Sequence, residues 1–202
     1  MSNVLDLAKT AAHKPQQTTV RIAAVQYLLR AINDWEGFEN QVRFVMKAAC
    51  EYKPQFVMFP EIFTTQLLSF MDTSDLRQAV RNMNDYTERY VALFTALATH
   101  WGVHVIGGSH PTITDGKLLN TAYLFGPDGQ VFTQDKIHLT RWEKEKWKGD
   151  PGHHLRVFDT PYGRIAILIC YDIEFPELAR KVCEQGADII FVPSCTDDRQ
   201  GF

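Results

Sequence analysis

The sequence predicts a layered α/β fold, and three observations lead to this prediction. Apolar runs of strand length alternate with segments whose apolar residues recur at helical spacing, with little chain in between. Turn-forming residues separate these segments, as in the Gly-Pro-Asp-Gly stretch at 126–129. With 202 residues, of which 45% are hydrophobic, the chain can also bury a substantial core. We therefore expect one large domain or two small ones.

The first half of the chain is expected to contain three strands and two helices. Continuous apolar runs predict the strands, which cover residues 20–29, 56–60 and 103–108. Apolar residues spaced three or four apart predict the helices, which cover residues 38–52 and 76–102. Pro54 ends the first helix, because a proline disfavours helical backbone in the residue before it.

The second half is expected to form two antiparallel hairpins, a helix and a final strand. The first hairpin pairs 121–125 with 131–137, and the second pairs 156–159 with 164–169. A helix over 174–183 follows, with Pro176 in its first turn, where a missing N–H does no harm. The last predicted strand covers 187–193.

Composition and charge argue against several classes of protein. A formal net charge of −3 without a basic block argues against a nucleic-acid-binding surface. The four cysteines form no C-x-x-C pair, so the sequence indicates neither a zinc site nor a disulfide framework, and a reducing, cytoplasmic compartment fits best. Residues 1–19 lack the apolar stretch of a signal peptide or membrane span, and we interpret them as a flexible leader.

Three residues are candidates for chemistry, and two of them, Cys170 and Glu61, stand at strand ends, where α/β proteins place reactive groups. Cys170 ends an apolar strand just before a helix, whose unpaired N–H groups would favour a thiolate. Glu61 follows the strand over 56–60, where partial burial would raise its pKa and make it a usable proton carrier. Lys136 lies on the second arm of the first hairpin and points to the same side as His138. Taken singly, each has a simpler interpretation: a buried core cysteine, a solvated strand end and a surface lysine.

A cysteine, a carboxylate and a lysine together can carry out acyl transfer through a thioester. Glu61 would take the thiol proton as Cys170 attacks an amide carbon, and would return it to the leaving amine. The ammonium of Lys136 and the backbone N–H of Tyr171 would stabilise the negative oxygen of the tetrahedral intermediate. Water activated by the same carboxylate would then release the acid.

The ordered set of motifs resembles the nitrilase superfamily of carbon–nitrogen hydrolases, over nearly the whole range 20–202. The matching segments are Phe59-Pro60-Glu61, Asp135-Lys136-Ile137-His138 and the stretch from Cys170 to Arg180. The resemblance implies a catalytic triad of Glu61, Lys136 and Cys170 on a four-layer α-β-β-α sandwich. It also implies a homodimer or higher homo-oligomer, a small-molecule amide substrate, and neither a cofactor nor a metal.

Further site residues follow from the same resemblance. Many members place a second glutamate between the lysine and the cysteine, and of Glu143 and Glu145 we favour Glu143 for positioning the lysine and the substrate. Members that act on carboxylate-bearing amides commonly have arginine shortly after the cysteine, where this chain has Glu174. If Glu174 faces the pocket, its charge would repel an acidic substrate, so we expect a neutral or amine-bearing amide. Aromatic candidates for shaping the same pocket are Trp142, Phe63, Trp147 and Tyr171.

The chain stops at Phe202, just after a predicted strand, where family members continue with a helix and further strands. The domain over 20–202 is therefore expected to lack its C-terminal elements. The predicted function is cysteine-dependent hydrolysis of a small linear amide or carbamoyl compound. Four alternatives stay open: nitrile hydrolysis, acyl transfer to another amine, a non-catalytic binding module of the same fold, and a redox sensor. The redox sensor would pair Cys170 with Cys183, which falls on the apolar face of its helix and is expected in the core.

Overall fold

Two sheets and four α-helices make up the fold of residues 19–196, the part of the chain that the computed structural model describes. The predicted leader lies outside this part, except for Thr19. The strands are β1 (Ile22–Ala24), β2 (Phe56–Met58), β3 (His104–Thr114), β4 (Lys117–Phe125), β5 (Val131–Asp135), β6 (Val157–Thr160), β7 (Gly163–Ile167) and β8 (Ile189–Phe191). The helices are α1 (Trp35–Cys50), α2 (Leu76–Asn82), α3 (Thr87–Trp101) and α4 (Pro176–Glu184). None of the helices in this part is long and apolar enough to cross a membrane.

Shorter helical segments lie between these elements. They are the 3-10 helices Phe63–Phe70, Met83–Tyr86 and Cys170–Glu174, and a π-helical turn at Glu143–Trp147. Two of them, the turns beginning at Glu143 and at Cys170, start at residues that the sequence analysis singled out.

Three of the four clusters of buried side chains in the described residues separate four layers. The first cluster lies between the larger sheet and the helices α1 and α3, and it includes Val105. The second lies between the two sheets and includes Ile106 and Ile167, because successive residues of a strand point to opposite faces. The third lies between the smaller sheet and α4, and it includes Ala166 and Val182. The layers are therefore helix, sheet, sheet and helix, which confirms the predicted α-β-β-α sandwich.

Both sheets are mixed. The larger sheet has the order β1-β2-β3-β4-β5, with parallel pairing from β1 to β3 and antiparallel pairing from β3 to β5. The smaller sheet has the order β6-β7-β8, and β7 pairs with β8 in parallel. Parallel pairing gathers carboxyl ends at one edge of a sheet, and the segments that leave the carboxyl ends of β2 and β7 carry Glu61 and Cys170.

Several predicted elements are wrong in extent. The strand predicted over 20–29 is confined to β1, and the helix predicted over 76–102 is divided into α2 and α3 by the 3-10 turn Met83–Tyr86. Within that turn the side-chain oxygen of Asn84 accepts a hydrogen bond of 2.7 Å from the backbone N–H of Ile113 in β3. This tertiary hydrogen bond accompanies the break, which apolar spacing alone does not reveal.

The strand predicted to end at Gly108 instead continues through a β-bulge to Thr114. Its register against β4 shifts between Ile106 and Ser109, and Gly108 has a φ of +67°. A Cβ at Gly108 would lie only 2.0 Å from the carbonyl oxygen of Pro60, so only glycine lets β3 pass this close to the segment after β2. The bulge therefore brings β3 directly against the residue that precedes Glu61.

Candidate active site

Glu61 lies at the end of the segment that follows β2, and the residue is only 3% exposed. The chain turns sharply after it, because Ile62 adopts left-handed backbone with a φ of 42° and donates its N–H to the Ser109 hydroxyl oxygen at 3.0 Å. Burial raises the pKa of Glu61, as the sequence predicted, although the neighbouring ammonium of Lys136 opposes the shift. The interpretation of Glu61 as a solvated strand end is wrong.

Lys136 follows β5 and is 1% exposed, so the interpretation as a surface lysine is also wrong. Its Nζ donates to Glu61 Oε1 at 2.7 Å and to Glu143 Oε2 at 2.8 Å. Burial alone would lower the pKa of Lys136, but the charges of Glu61 and Glu143 outweigh burial and raise it. The lysine is therefore a buried cation held between two carboxylates.

Of the two glutamates considered for the second carboxylate, the structure brings only Glu143 to Lys136. Glu143 is 4% exposed, and its Oε2 also accepts hydrogen bonds from the backbone N–H and the hydroxyl of Thr140, both at 2.8 Å. Burial would raise the pKa of Glu143, but the charge of Lys136 and these hydrogen bonds lower it. Glu145 is exposed and pairs with Arg141 at 2.7 Å.

Cys170 begins the 3-10 helix after β7 and adopts left-handed backbone, with a φ of 48°. Such a conformation is uncommon for a residue with a side chain, and it is concentrated at functional sites. The Cys170 N–H donates to the Pro193 carbonyl at 3.0 Å, and its partly exposed thiol lies 3.9 Å from the Cys195 carbonyl oxygen. The interpretation as a fully buried core cysteine is therefore wrong.

The thiol of Cys170 is protonated at neutral pH, contrary to the prediction of a thiolate favoured by the following helix. Burial and the charge of Glu61 raise its pKa to about 11, although Lys136 opposes the shift. The intervening 3-10 turn Cys170–Glu174 separates the thiol from α4, which begins only at Pro176. A protonated thiol needs a base before it can attack, and Glu61 is close enough to act on its pKa.

Two polar residues that the sequence analysis did not single out hold these groups in place. Asn120 in β4 donates its amide N–H groups to both Glu61 and Glu143 at 2.9 Å. Asp172 accepts hydrogen bonds from the backbone N–H groups of His138 at 2.7 Å and Ile169 at 3.2 Å. Asp172 thereby ties the loop after Lys136 to the turn that carries Cys170.

Replacing Asp172 with asparagine should destabilise the fold. The asparagine amide would turn N–H groups toward backbone N–H donors that now share a buried carboxylate, and a buried donor without an acceptor costs about 1–3 kcal/mol. Urea unfolding measures the loss, and Asp159→Asn is the control because Asp159 is exposed and its ion pair with Arg164 is worth little. Equal unfolding midpoints for the two variants would contradict the role of Asp172.

A cavity of about 440 Å³ adjoins Glu61. Its lining is mostly apolar or uncharged, and it consists of Ala24, Val25, Gln26, Tyr27, Leu29, Met58, Pro60, Glu61, Phe63, Val192, Ser194, Cys195 and Thr196. The backbone N–H of Cys195 donates to Glu61 Oε2 at 3.2 Å, which ties this lining to the carboxylate. Of the aromatic candidates, the structure places Phe63 in the lining.

The structure does not bring the other candidate substrate contacts to this cavity. Glu174 is exposed at the end of its 3-10 helix, and Trp142 is 49% exposed and packs against Trp147 at 5.2 Å. The Tyr171 ring packs edge-on against Phe175 at 5.1 Å. Glu174 and Trp142 do not line this cavity, and neither do Cys170 and Lys136. Substrate contacts of Glu174 and Trp142 therefore stay predictions, and the predicted contribution of Tyr171 would come from its backbone.

Cys183, the proposed partner of Cys170 in a redox pair, is exposed, so its predicted place in the core is wrong. All four cysteines have free thiols. Within residues 19–196 no cluster of three or more His, Cys, Asp or Glu side chains could hold a metal ion.

Known proteins match most of the chain. The family model for carbon-nitrogen hydrolases matches residues 21–200. The chain is 48% identical over 196 residues to the probable hydrolase YhcX of Bacillus subtilis (strain 168). That match covers 93% of this chain and 38% of YhcX. It is 32% identical over 181 residues to the omega-amidase NIT2-A of Xenopus laevis, which covers 86% of this chain and 62% of that protein.

Solved structures show the same fold. Nit3 of Saccharomyces cerevisiae, a member of branch 10 of the nitrilase superfamily, has a TM-score of 0.73 and 27% identity, over 89% of this chain and 65% of that chain. An amidase from Nesterenkonia sp. has a TM-score of 0.72 and 24% identity, over 89% of this chain and 66% of that chain. This chain thus spans less than two thirds of the length of the curated relatives that it matches.

Proposed function

Because the chain belongs to the carbon–nitrogen hydrolase family of the nitrilase superfamily, we propose that it hydrolyses a non-peptide C–N bond in a small linear amide or carbamoyl compound. The reaction uses Cys170 as nucleophile, passes through a thioester and releases ammonia or an amine. The observation that carries the proposal is the buried ammonium of Lys136, held between Glu61 and Glu143 beside a partly exposed thiol.

The first step is transfer of the thiol proton to Glu61 as Cys170 attacks the carbonyl carbon. A thiol with a pKa of about 11 is a poor nucleophile at neutral pH unless a base takes its proton during the attack. Burial raises the pKa of Glu61 and brings it closer to that of the thiol, which lowers the cost of the transfer. The same proton then passes from Glu61 to the leaving nitrogen, because an amine leaves only when protonated.

The oxyanion of the tetrahedral intermediate is stabilised by Lys136 and by the backbone N–H of Tyr171. An ammonium has three N–H donors, and two of those on Lys136 are used by Glu61 and Glu143, which leaves one for the substrate oxygen. Within residues 19–196 the Tyr171 N–H donates to no other group, so it is available too. Water activated by Glu61 then attacks the thioester and regenerates the thiol.

We expect the enzyme to prefer neutral acyl groups to acidic ones. Among the described residues that line the cavity, Glu61 is the only charged side chain, and the nearby ammonium of Lys136 is already paired with Glu61 and Glu143. A carboxylate brought beside Glu61 would be repelled, which should lower kcat/KM for succinamate relative to butyramide on the order of tenfold or more. Equal values for the two amides, measured side by side, would contradict this preference.

A panel of short amides, carbamoyl amines and nitriles tests the function itself. We expect ammonia release from at least one amide or carbamoyl compound, together with a transient acyl adduct in the intact mass of the protein. The adduct should map to Cys170 after digestion, and Glu61→Gln should lose both signals because the base is gone. A folded protein that gives neither ammonia nor an adduct with any compound would favour the non-catalytic binding module.

A further inference from the structure

Asn120 lies in the candidate active site, although nothing in the amino-acid sequence indicates a role for it there. It lies in β4 and is 5% exposed, and its Nδ2 donates to Glu61 Oε1 and to Glu143 Oε1, both at 2.9 Å. Carboxylates only accept hydrogen bonds, so the amide nitrogen, not the amide oxygen, must face them. The orientation of the amide is therefore fixed by its two partners.

The backbone of Asn120 holds the third member of the same network. Its carbonyl oxygen accepts the N–H of Lys136 at 2.9 Å, where the chain leaves β5. A single residue thus contacts Glu61 and Glu143 through its side chain and Lys136 through its backbone. These three residues come from separate segments, which Asn120 joins at one point of the larger sheet.

We propose that Asn120 is a positioning residue for the hydrolysis, which rests on the proposed function of this site. Its amide holds Glu61 and Glu143 on either side of Lys136 and favours the ionised form of both carboxylates. Glu61 must be ionised to take the thiol proton, so Asn120 keeps the base active toward lower pH.

The charge balance explains why an amide suits this position. Two carboxylates share one ammonium, so the buried cluster carries an excess negative charge that a neutral donor can disperse. An aspartate here would add a third negative charge, and a lysine would compete with Lys136. The choice has a cost, because Asn120 Oδ1 is buried and has no hydrogen-bond partner among the described residues. A buried acceptor without a donor is unfavourable, and such exceptions concentrate at functional sites.

The test compares Asn120→Leu, which keeps the approximate size and removes both donors, with Thr112→Val. Thr112 is a buried residue of the neighbouring strand β3 whose hydroxyl bonds to the His110 carbonyl, so its variant removes a hydroxyl away from the carboxylates. Two pH profiles are recorded for each protein: kcat/KM, and the rate at which iodoacetamide alkylates Cys170. Digestion with trypsin isolates residues 165–180, in which Cys170 is the only cysteine, so its alkylation is measured separately.

We expect Asn120→Leu to shift the acid limb of both profiles upward by about one pH unit, because a hydrogen bond that favours the charged form of Glu61 is lost. The kcat should fall on the order of tenfold or more, with little change in KM, because the base is misplaced rather than the substrate. Thr112→Val should keep both wild-type profiles. If Asn120→Leu does not fold, Asn120→Ser, which keeps one hydroxyl donor, should give a smaller shift in the same direction.

The two readouts separate failure of this inference from failure of the proposed function. An unchanged acid limb of Cys170 alkylation in Asn120→Leu would overturn the role of Asn120, whether or not the protein turns over an amide. A shifted acid limb supports that role even without turnover. If the wild-type protein shows the pH-dependent alkylation of Cys170 but turns over no amide, the proposed hydrolase function is wrong.

Discussion

Replacing Cys170 with alanine should abolish turnover and the acyl adduct. The proposed reaction forms its thioester on Cys170, and loss of a nucleophile that acts together with its base costs at least on the order of a thousandfold in kcat. Cys170→Ser should be nearly as inactive, because a hydroxyl is far harder to ionise than a thiol beside the same carboxylate. Both variants should fold, since Cys170 is partly exposed and Ala and Ser are smaller.

The measurement is ammonia release over a range of substrate concentrations, combined with mass analysis of two trypsin fragments: 165–180, which holds Cys170, and 182–199, which holds Cys183 and Cys195. Cys183→Ala is the matched control, because this thiol is exposed on α4 and should leave both signals unchanged. The thiol of Cys195 also lies near Glu61, whose charge acts on its pKa. An adduct found on Cys195 instead of Cys170 would show that Cys170 is not the nucleophile.

The layered architecture could be predicted from the sequence because each layer has its own periodicity. One hairpin was missed although its signal was present: Asp115-Gly116 between apolar runs is a strong mark of a tight turn, and both residues have positive φ, of 50° and 76°. The break between α2 and α3 could not be predicted, because Asn84 bonds to a strand nearly thirty residues later. The spacing of apolar residues reflects local helix propensity, whereas the hydrogen bond between Ile113 and Asn84 forms only in the folded chain.

Two residues of the candidate site can be predicted from position and residue type together, because Glu61 and Cys170 follow predicted strands. Lys136 lies within a predicted hairpin arm, and its role follows from the family resemblance. Asn120 gave no comparable signal, since an asparagine inside a strand looks like any polar residue until its two partners are placed. The protonation state of the Cys170 thiol cannot be predicted from the sequence, because the sequence shows the nearby helix but not the burial of the thiol beside Glu61.

Assembly and location stay predictions. The family resemblance predicts a homodimer, and cysteine usage predicts a cytoplasmic compartment. Size-exclusion chromatography with light scattering measures the first directly.

Replacing Lys136 with methionine should reduce both activity and stability. Turnover should fall by roughly a hundredfold or more, because a principal oxyanion donor is lost. The free energy of unfolding should fall by about 3–5 kcal/mol, the usual cost of removing one partner of a buried ion pair. A lysine on an exposed hairpin would have left the fold unaffected, so the size of this effect follows from the burial of Lys136 between Glu61 and Glu143.

The loss of stability should depend on pH, and its sign follows from the two carboxylates. Without Lys136, burial and mutual repulsion raise the folded-state pKa of Glu61 and Glu143 above the unfolded value of about 4.3. A carboxyl whose pKa is raised by folding favours the folded state at low pH, and that contribution is lost as pH rises through the folded pKa. Urea unfolding of Lys136→Met should therefore show a smaller deficit against wild type at pH 5 than at pH 8.

A second substitution separates the structural role of Lys136 from the catalytic one. Adding Glu143→Gln to Lys136→Met removes one of the two uncompensated charges, so most of the lost stability should return at pH 8. Turnover should not return, because neither methionine nor glutamine replaces the ammonium beside the substrate oxygen. Equal unfolding midpoints for wild type and Lys136→Met at pH 8 would contradict the buried ion-pair network, and wild-type turnover in either variant would remove Lys136 from the oxyanion site.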